Sequence, residues 1–153
     1  MRRIAATLAV VVALMFSAGS AWADFDDGEA AFRRGDYATA LREWLPLAEQ
    51  GDVSAQYFLG VMYSFGRGVP QNDAEAVKWF RKAAEQGDAL AQKNLGVMYV
   101  TGEGVPVNNV KAYMWWALAK AQGDEGAAGN LDIIKEQMTP ADISKAQALP
   151  AEW

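Results

Sequence analysis

Residues 55–88 read AQYFLGVMYSFGRGVPQNDAEAVKWFRKAAEQGD, and residues 91–124 read AQKNLGVMYVTGEGVPVNNVKAYMWWALAKAQGD. The two stretches are copies of one pattern offset by 36 residues, and 18 of the 35 positions from 54 to 88 are identical to their counterparts from 90 to 124. A fixed period of this length indicates a solenoid of stacked supersecondary units. Such stacks usually provide binding surfaces rather than reaction centres.

Each copy predicts two helices joined by a glycine-containing turn. The apolar face of the first helix is made in the two copies by Ala55, Leu59, Met62 and Tyr63, and by Ala91, Leu95, Met98 and Tyr99. The stripe of the second helix is made by Ala76, Trp79, Phe80 and Ala83, and by Ala112, Trp115, Trp116 and Ala119. The turns carry glycines, which permit positive φ: Gly66 and Gly68, then Gly102 and Gly104. Asn72 or Asp73 is expected to cap the second helix of the first copy.

A glycine lies inside the first helix of each copy, at Gly60 and at Gly96. Glycine within a helix costs about 1 kcal/mol relative to alanine, so its presence twice in phase indicates close packing. We expect the small side chains of Ala76 and Ala112 to face these glycines.

The flanking segments continue the pattern in a weaker form. Residues 24–52 predict a helix, a turn at Gly35 and a second helix. Near the other end, Thr139 is expected to cap a last helix that starts at Pro140. In all, the sequence predicts about eight helices and no strand.

The repeated residues resemble the Sel-one-like repeat (SLR), a relative of the tetratricopeptide repeat. The structural positions that carry the resemblance are Gly60, Tyr63, Gly66, Gly68, Ala76 and Trp79 in one copy, and Gly96, Tyr99, Gly102, Gly104, Ala112 and Trp115 in the other. The resemblance implies an all-α fold, a right-handed α-solenoid of helix-turn-helix units used as a protein-interaction adaptor. The implied organisation is a tetratricopeptide-like pair at 24–52, repeats at 53–88 and 89–124, and C-terminal capping helices at 125–153.

Residues 1–23 predict a secretory signal peptide. Two arginines precede an apolar run, and an A-x-A site places the expected cleavage between Ala23 and Asp24. The apolar run of residues 4–16 would span only about 20 Å as a helix, against about 30 Å of membrane hydrocarbon, which disfavours a retained anchor. Together with the resemblance, the signal predicts a periplasmic or secreted protein of a Gram-negative bacterium.

Composition narrows the function further. Residues 24–153 hold 12 basic and 19 acidic residues, and a negative chain is repelled by nucleic acid and by anionic membrane surfaces. The sequence has no Cys and no His, so a disulfide framework and the commonest catalytic base, metal ligand and thiol nucleophile are absent. We therefore predict no catalytic residue, no metal and no cofactor.

Two local patterns are similar to ligand-binding motifs but lack residues that those motifs require. The turns GRGVP and GEGVP lack the continuation and the preceding strand of a phosphate-binding loop. A calcium loop counted from Asp24 would need Gly at its sixth position and Glu at its twelfth, but Glu29 and Gly35 stand there. We interpret the acidic start as a solvated helix start.

The tryptophans are a candidate sugar-stacking platform, but their in-phase spacing favours the core for Trp44, Trp79 and Trp115. Trp116 is expected to face the following unit, and Trp153 is expected to be the most exposed.

A partner-binding surface is expected on the first helices, which line the concave face of tetratricopeptide-like stacks. The candidate residues are Tyr57, Val61, Ser64, Phe65, Lys93, Val97, Val100 and Thr101. Several of these positions differ between the copies, as do Phe58 and Asn94. Lys93 is expected to pair with a partner's carboxylate, and ordinary surface variation would account for the same differences.

Three functions remain open at this point. The first is a periplasmic adaptor that binds another protein in the concave groove. The second is a binder of a small cell-wall ligand such as a peptidoglycan fragment. The third is an envelope hydrolase, which the missing His and Cys make the weakest. The sequence leaves open whether the end of the stack forms a homo-oligomer.

Overall fold

The computed structural model describes residues 24–149, and within that range the chain forms eight α-helices and no strand, as predicted. The helices are α1 Phe25–Arg33, α2 Tyr37–Glu49, α3 Val53–Phe65, α4 Asp73–Glu85, α5 Ala89–Thr101, α6 Asn109–Ala121, α7 Glu125–Lys135 and α8 Pro140–Ala148. None of these eight helices is long and apolar enough to cross a membrane. Residues 1–23, which the sequence predicts to be a signal peptide ending at Ala23, and Trp153 lie outside the described residues.

Periodic capping residues set where the helices begin and end. Aspartate side chains at one repeated position accept from the backbone N–H three residues later, at Asp52, Asp88 and Asp124. Asn72, rather than Asp73, caps α4 by accepting from Glu75. The helices α3 and α5 end at Gly66 and Gly102, whose φ values of 62° and 77° are left-handed.

The helices stack as pairs. α1 packs on α2, α3 on α4 and α5 on α6, and each second helix also packs on the first helix of the next pair. α3 and α5 contact each other directly. α8 packs on α6 instead, where Ala146 is buried and the Gln147 amide donates to the Tyr113 hydroxyl at 3.2 Å.

A glycine beneath an aromatic ring holds each of the first three pairs together. A Cβ built on the glycine would overlap the ring in all three, which are Gly28 with Trp44, Gly60 with Phe80, and Gly96 with Trp116. The expectation that alanines face these glycines was wrong, because the aromatic residue one turn after the alanine lies there. A flat ring reaches the backbone only where no Cβ stands, and the buried ring area offsets the helix cost of glycine.

Trp116 contacts its own pair as well as the following unit. Its indole lies over Gly96 of its own pair, and Nε1 donates to the Lys93 carbonyl at 2.9 Å. Trp116 also borders a cavity of about 70 Å³ with Ile133 and Ile134 of the following unit, the side on which it was expected. Trp44, Trp79 and Trp115 are buried, as predicted.

A ladder of glutamines connects successive pairs. Among residues 24–149 the buried polar side chains are Gln56 and Gln92, at 4% and 2% exposure. Their amides donate to carbonyls of the preceding helix at 3.0 and 3.1 Å. Their oxygens accept from Gln86 and Gln122 at 2.8 and 2.9 Å. Each buried amide is thereby satisfied by a carbonyl of the preceding unit and by a glutamine of its own unit, and the next position in phase is Ala128, where the ladder stops.

Candidate functional site

A groove of about 420 Å³ opens where α3 and α4 meet α5. We call this place the second junction, and the equivalent place one unit earlier, where α1 and α2 meet α3, the first junction. The first helices supply Tyr57, Val61, Ser64, Phe65, Asn94, Val97 and Met98. The α3–α4 turn, α4 and the α5–α6 turn supply Gln71, Asp73, Phe80 and Glu103. The groove is therefore a space between neighbouring units, with apolar side chains along the helices and polar groups contributed by the turns.

Five of the eight residues expected on the binding surface line this groove: Tyr57, Val61, Ser64, Phe65 and Val97. Phe65 is the most exposed large apolar side chain of the described residues, at 67%. The other three predicted residues lie outside the groove. The structure thus brings together one contiguous part of the predicted surface.

Lys93 is not free to pair with a partner. Its Nζ lies 3.3 Å from Oδ2 of Asp124, the residue that caps α7. The pKa of Asp124 is lowered, first by the backbone N–H of Ala127 and then by Lys93, against an opposing effect of burial. Lys93 therefore stabilises the stack, and we leave it out of the binding surface.

Val100 and Thr101 also lie elsewhere. Val100 borders the cavity beside Trp116 where α5 and α6 meet α7. The Thr101 hydroxyl lies 3.5 Å from the Met98 carbonyl at the exposed end of α5. Neither residue reaches the groove of the second junction.

Tyr57 forms one wall of the groove and is held on several sides. Its ring contacts those of Phe58 and Phe80, at centroid distances of 5.4 and 5.9 Å. Burial raises the pKa of the Tyr57 hydroxyl, the charge of Asp88 raises it further, and a hydrogen bond with Asn94 acts in the opposite direction. Tyr57 therefore offers a neutral, fixed aromatic surface at ordinary pH.

The ionisable groups that line the groove are acidic or phenolic, and none of the lining residues is basic. Asp73 lies at the start of α4, and Glu103 lies in the α5–α6 turn. Gly104 packs so closely on the Asp73 carbonyl that no Cβ would fit there. This contact brings the turn that carries Glu103 beside the start of α4.

The equivalent place one unit earlier is filled. At this first junction, where α1 and α2 meet α3, the rings of Trp44 and Phe58 stack at 4.5 Å. Phe25 and Phe32 pack on the same two rings at centroid distances of 5.5 to 5.8 Å. The Arg67 guanidinium lies over rings, 5.4 Å from Phe32 and 5.6 Å from Tyr37. Aromatic side chains and a cation of the chain itself occupy this junction.

The sequence analysis did not predict the polar residues that line the groove. Gln71, Asp73 and Glu103 come from turns and helix starts, whereas the prediction considered first helices alone. A signal was present, because GRGVP becomes GEGVP in the second copy. That change replaces a cation with a carboxylate at the rim of the junction.

A family model for the Sel1 repeat matches residues 53–88 and 89–124. The chain contains two Sel1 repeats. The helices of the two Sel1 repeats are α3 with α4 and α5 with α6, so the groove lies between the repeats. The glycines and aromatic residues that make up the resemblance occupy core and turn positions in both.

Solved structures support the same fold. A protective antigen of uropathogenic Escherichia coli strains with an SLR fold is 31% identical, with a TM-score of 0.75 over 78% of this chain. A Sel1 repeat protein from Oxalobacter formigenes is 33% identical, with a TM-score of 0.68 over 71% of this chain. This chain spans only 27% and 44% of these two proteins. Among curated proteins, none matches the sequence.

Sel1-repeat proteins are generally scaffolds for protein–protein interactions and are typically not enzymes. The groove agrees with that role, since it presents the exposed Phe65 ring and two carboxylates, Asp73 and Glu103, that form no ion pair within residues 24–149. Within residues 24–149, no group of three or more acidic side chains is arranged to hold a metal ion.

Proposed function

We propose that this protein is a non-enzymatic adaptor of the bacterial periplasm that binds a partner protein in the groove of the second junction. The observation that carries the proposal is the difference between two equivalent places. The first junction is filled by the chain's own rings, whereas the second is open and about 420 Å³ in volume. A space of this size is large enough for side chains of an inserted segment.

Phe65 and Val97 are the apolar anchors of the proposed surface. Both are exposed, at 67% and 37%, and both line the groove from neighbouring repeats. Aromatic side chains at the centre of an interface commonly carry much of the binding energy once water is excluded. A partner segment that covers them would bury apolar area contributed by both repeats.

The location rests on the sequence of residues 1–23, which has the three regions of a secretory signal. We expect the protein recovered after expression of the full chain to begin at Asp24. The intact mass of that protein checks the cleavage site, and osmotic-shock release checks the compartment. A mass that still includes residues 1–23 would contradict the periplasmic assignment.

The binding role is tested by in-cell crosslinking and capture of the tagged chain, followed by binding measurements with the purified captured protein. We expect Phe65→Ala/Val97→Ala to weaken the measured binding at least about tenfold. The matched control is Val107→Ala/Ile133→Ala, which removes two similarly exposed apolar side chains outside the groove. Equal affinities of the two double variants would overturn the groove assignment, and capture of cell-wall fragments alone would favour a small-ligand binder.

A further inference from the structure

We propose that the groove recognises a partner segment through a Lys or Arg side chain, whose stem lies on Phe65 and Val97 and whose cation is met by Asp73 and Glu103. The inference deepens the proposed function, on which it rests, by naming the chemistry of the segment that the groove takes.

The first support is that both groove carboxylates are unpaired. Within residues 24–149, neither Asp73 nor Glu103 has a side-chain hydrogen bond or an ion pair, whereas the nearby Glu75 is paired with Lys78 at 3.3 Å. Asp73 lies in the first turn of α4, where the helix dipole stabilises an anion without a counter-ion. The groove therefore holds negative charge that the described part of the chain does not neutralise.

The second support is the placement of the two carboxylates. Gly104 packs against the backbone of Asp73 and Ala74, so Glu103 extends from backbone adjacent to the start of α4. Two like charges at one rim, with no basic residue among those that line the groove, reinforce each other's field. This arrangement attracts a cation and repels an acidic segment.

The third support comes from the first junction, where the chain shows how such a site is occupied. Arg67 stands there at the position of Glu103, and its guanidinium lies over the rings of Phe32 and Tyr37. In the second junction, the cation is replaced by a carboxylate and the space beside it is open. A cation supplied by a partner would meet the carboxylates of Asp73 and Glu103 there, with Tyr57 and Phe65 as the exposed aromatic side chains of the groove.

The Arg67 guanidinium also lies 5.4 Å from the Phe65 ring centroid, so it contacts one side chain of the groove. Arg67 is not among the residues that line the groove. It braces Phe65, and within residues 24–149 it forms no ion pair with the two carboxylates.

The test uses the protein recovered after expression of the full chain, labelled with ¹⁵N, and four peptides of the sequence GSALXLASG in which X is Arg, Lys, norleucine or Glu. We expect the Arg and Lys peptides to shift the amide signals of Phe65, Asp73, Val97 and Glu103. We expect at least about tenfold weaker binding of the norleucine and Glu peptides, and weakening of the Arg peptide as the salt concentration rises.

The decisive variant is Asp73→Asn/Glu103→Gln, which keeps the shape of both side chains and removes both charges. We expect it to bind the Arg peptide about tenfold more weakly and no better than the norleucine peptide. The matched control is Asp132→Asn/Glu136→Gln, which removes two exposed charges at α7 and should bind as the wild type does. Unchanged amide signals away from the substitutions show that each variant is folded.

Three results would overturn the inference. They are equal binding of the Arg and norleucine peptides, unchanged binding by the charge-removed variant, and no shift with any peptide at millimolar concentration. The proposed function is judged separately by Phe65→Ala/Val97→Ala. A captured partner that loses affinity with that variant but not with Asp73→Asn/Glu103→Gln would leave the adaptor role standing without the cation.

Discussion

The first and second junctions are built on the same repeated backbone and differ in what fills them. At the first junction, Phe32 and Phe58 pack with Trp44. At the second, Ser64 and Asn94 take the corresponding places around a groove. The glycine beneath an aromatic ring and the glutamine ladder recur in both repeats. This stack therefore makes a candidate site by leaving inner positions unfilled while it keeps its structural contacts.

The largest effect on stability is expected from disrupting the contact between a helical glycine and an aromatic ring, which the first three pairs share. Gly60→Leu places a side chain where the Phe80 ring lies, and we expect the free energy of unfolding to fall by at least about 3 kcal/mol. Chemical denaturation measures this change. Gly129→Ala is the control, since that helical glycine faces open space and its replacement should raise stability by up to about 1 kcal/mol. A Gly60→Leu protein as stable as the wild type would contradict the packing role.

The next effect comes from opening the filled junction. Phe58→Asn removes the ring that stacks on Trp44 at 4.5 Å and leaves an amide among apolar rings. We expect a loss of about 3 kcal/mol, from lost apolar burial and from poor satisfaction of the amide. Thermal and denaturant unfolding measure it, and a loss below about 1 kcal/mol would show that the cluster fills space without stabilising the stack.

The converse substitution, at the equivalent position of the open second junction, is expected to fill the groove with little change in stability. Asn94→Phe loses the bond from the Asn94 amide to the Leu90 carbonyl, and it places a ring beside Phe80. We expect stability to change by no more than about 1 kcal/mol, because the lost bond and the buried ring oppose each other. Binding of the Arg peptide should disappear. A stable Asn94→Phe protein that still binds would place the site elsewhere.

The smallest effect concerns Asp88 and Asp124, which cap equivalent helices but have different neighbours. Asp88 lies near Tyr57, whereas Asp124 is paired with Lys93. Because the folded-state pKa of Asp124 is lowered, its carboxylate stabilises the fold above the ordinary Asp value of about 4. That contribution is lost as the pH falls through the lowered pKa.

We therefore expect Asp124→Asn to lower Tm by a few degrees at about pH 7, with a difference that shrinks as the pH falls to about 2. Circular dichroism melts across this range measure it. A Tm difference that stays constant with pH would mean that the carboxylate's charge does not contribute.

The sequence predicted the fold because the determining contacts repeat with the period. Gly60 and Gly96 share one position, as do the turn glycines Gly66 and Gly102, so comparison of the copies exposes them. The partner of the helical glycine was predicted wrongly, because either Ala76 or Phe80 satisfies the same helical stripe. Only packing in three dimensions distinguishes them.

The groove was predicted in part. Phe65 and Val97 follow from the expected concave face, but the open space does not. The α1–α2 turn is shorter than the α3–α4 turn, so Gly28 precedes Gly60 by 32 residues instead of 36. The correspondence of Phe32 with Ser64 is therefore hidden from a comparison at the main period. The pairing of Lys93 is hidden for another reason, because its partner Asp124 caps α7 in the following unit.

The glutamine ladder has a consequence for how such a chain can lengthen over evolution. Each Sel1 repeat contains both members of one glutamine pair, such as Gln56 and Gln86, so a duplicated segment carries that bond within itself. The bond to the preceding unit needs only a backbone carbonyl, which any residue supplies. A duplicated 36-residue segment inserted after Asp88 would therefore form both bonds with no compensating substitution. In α7 the position in phase is Ala128, which has no amide to donate to the preceding helix. Lengthening by duplication is thereby favoured among the repeats that carry the glutamines.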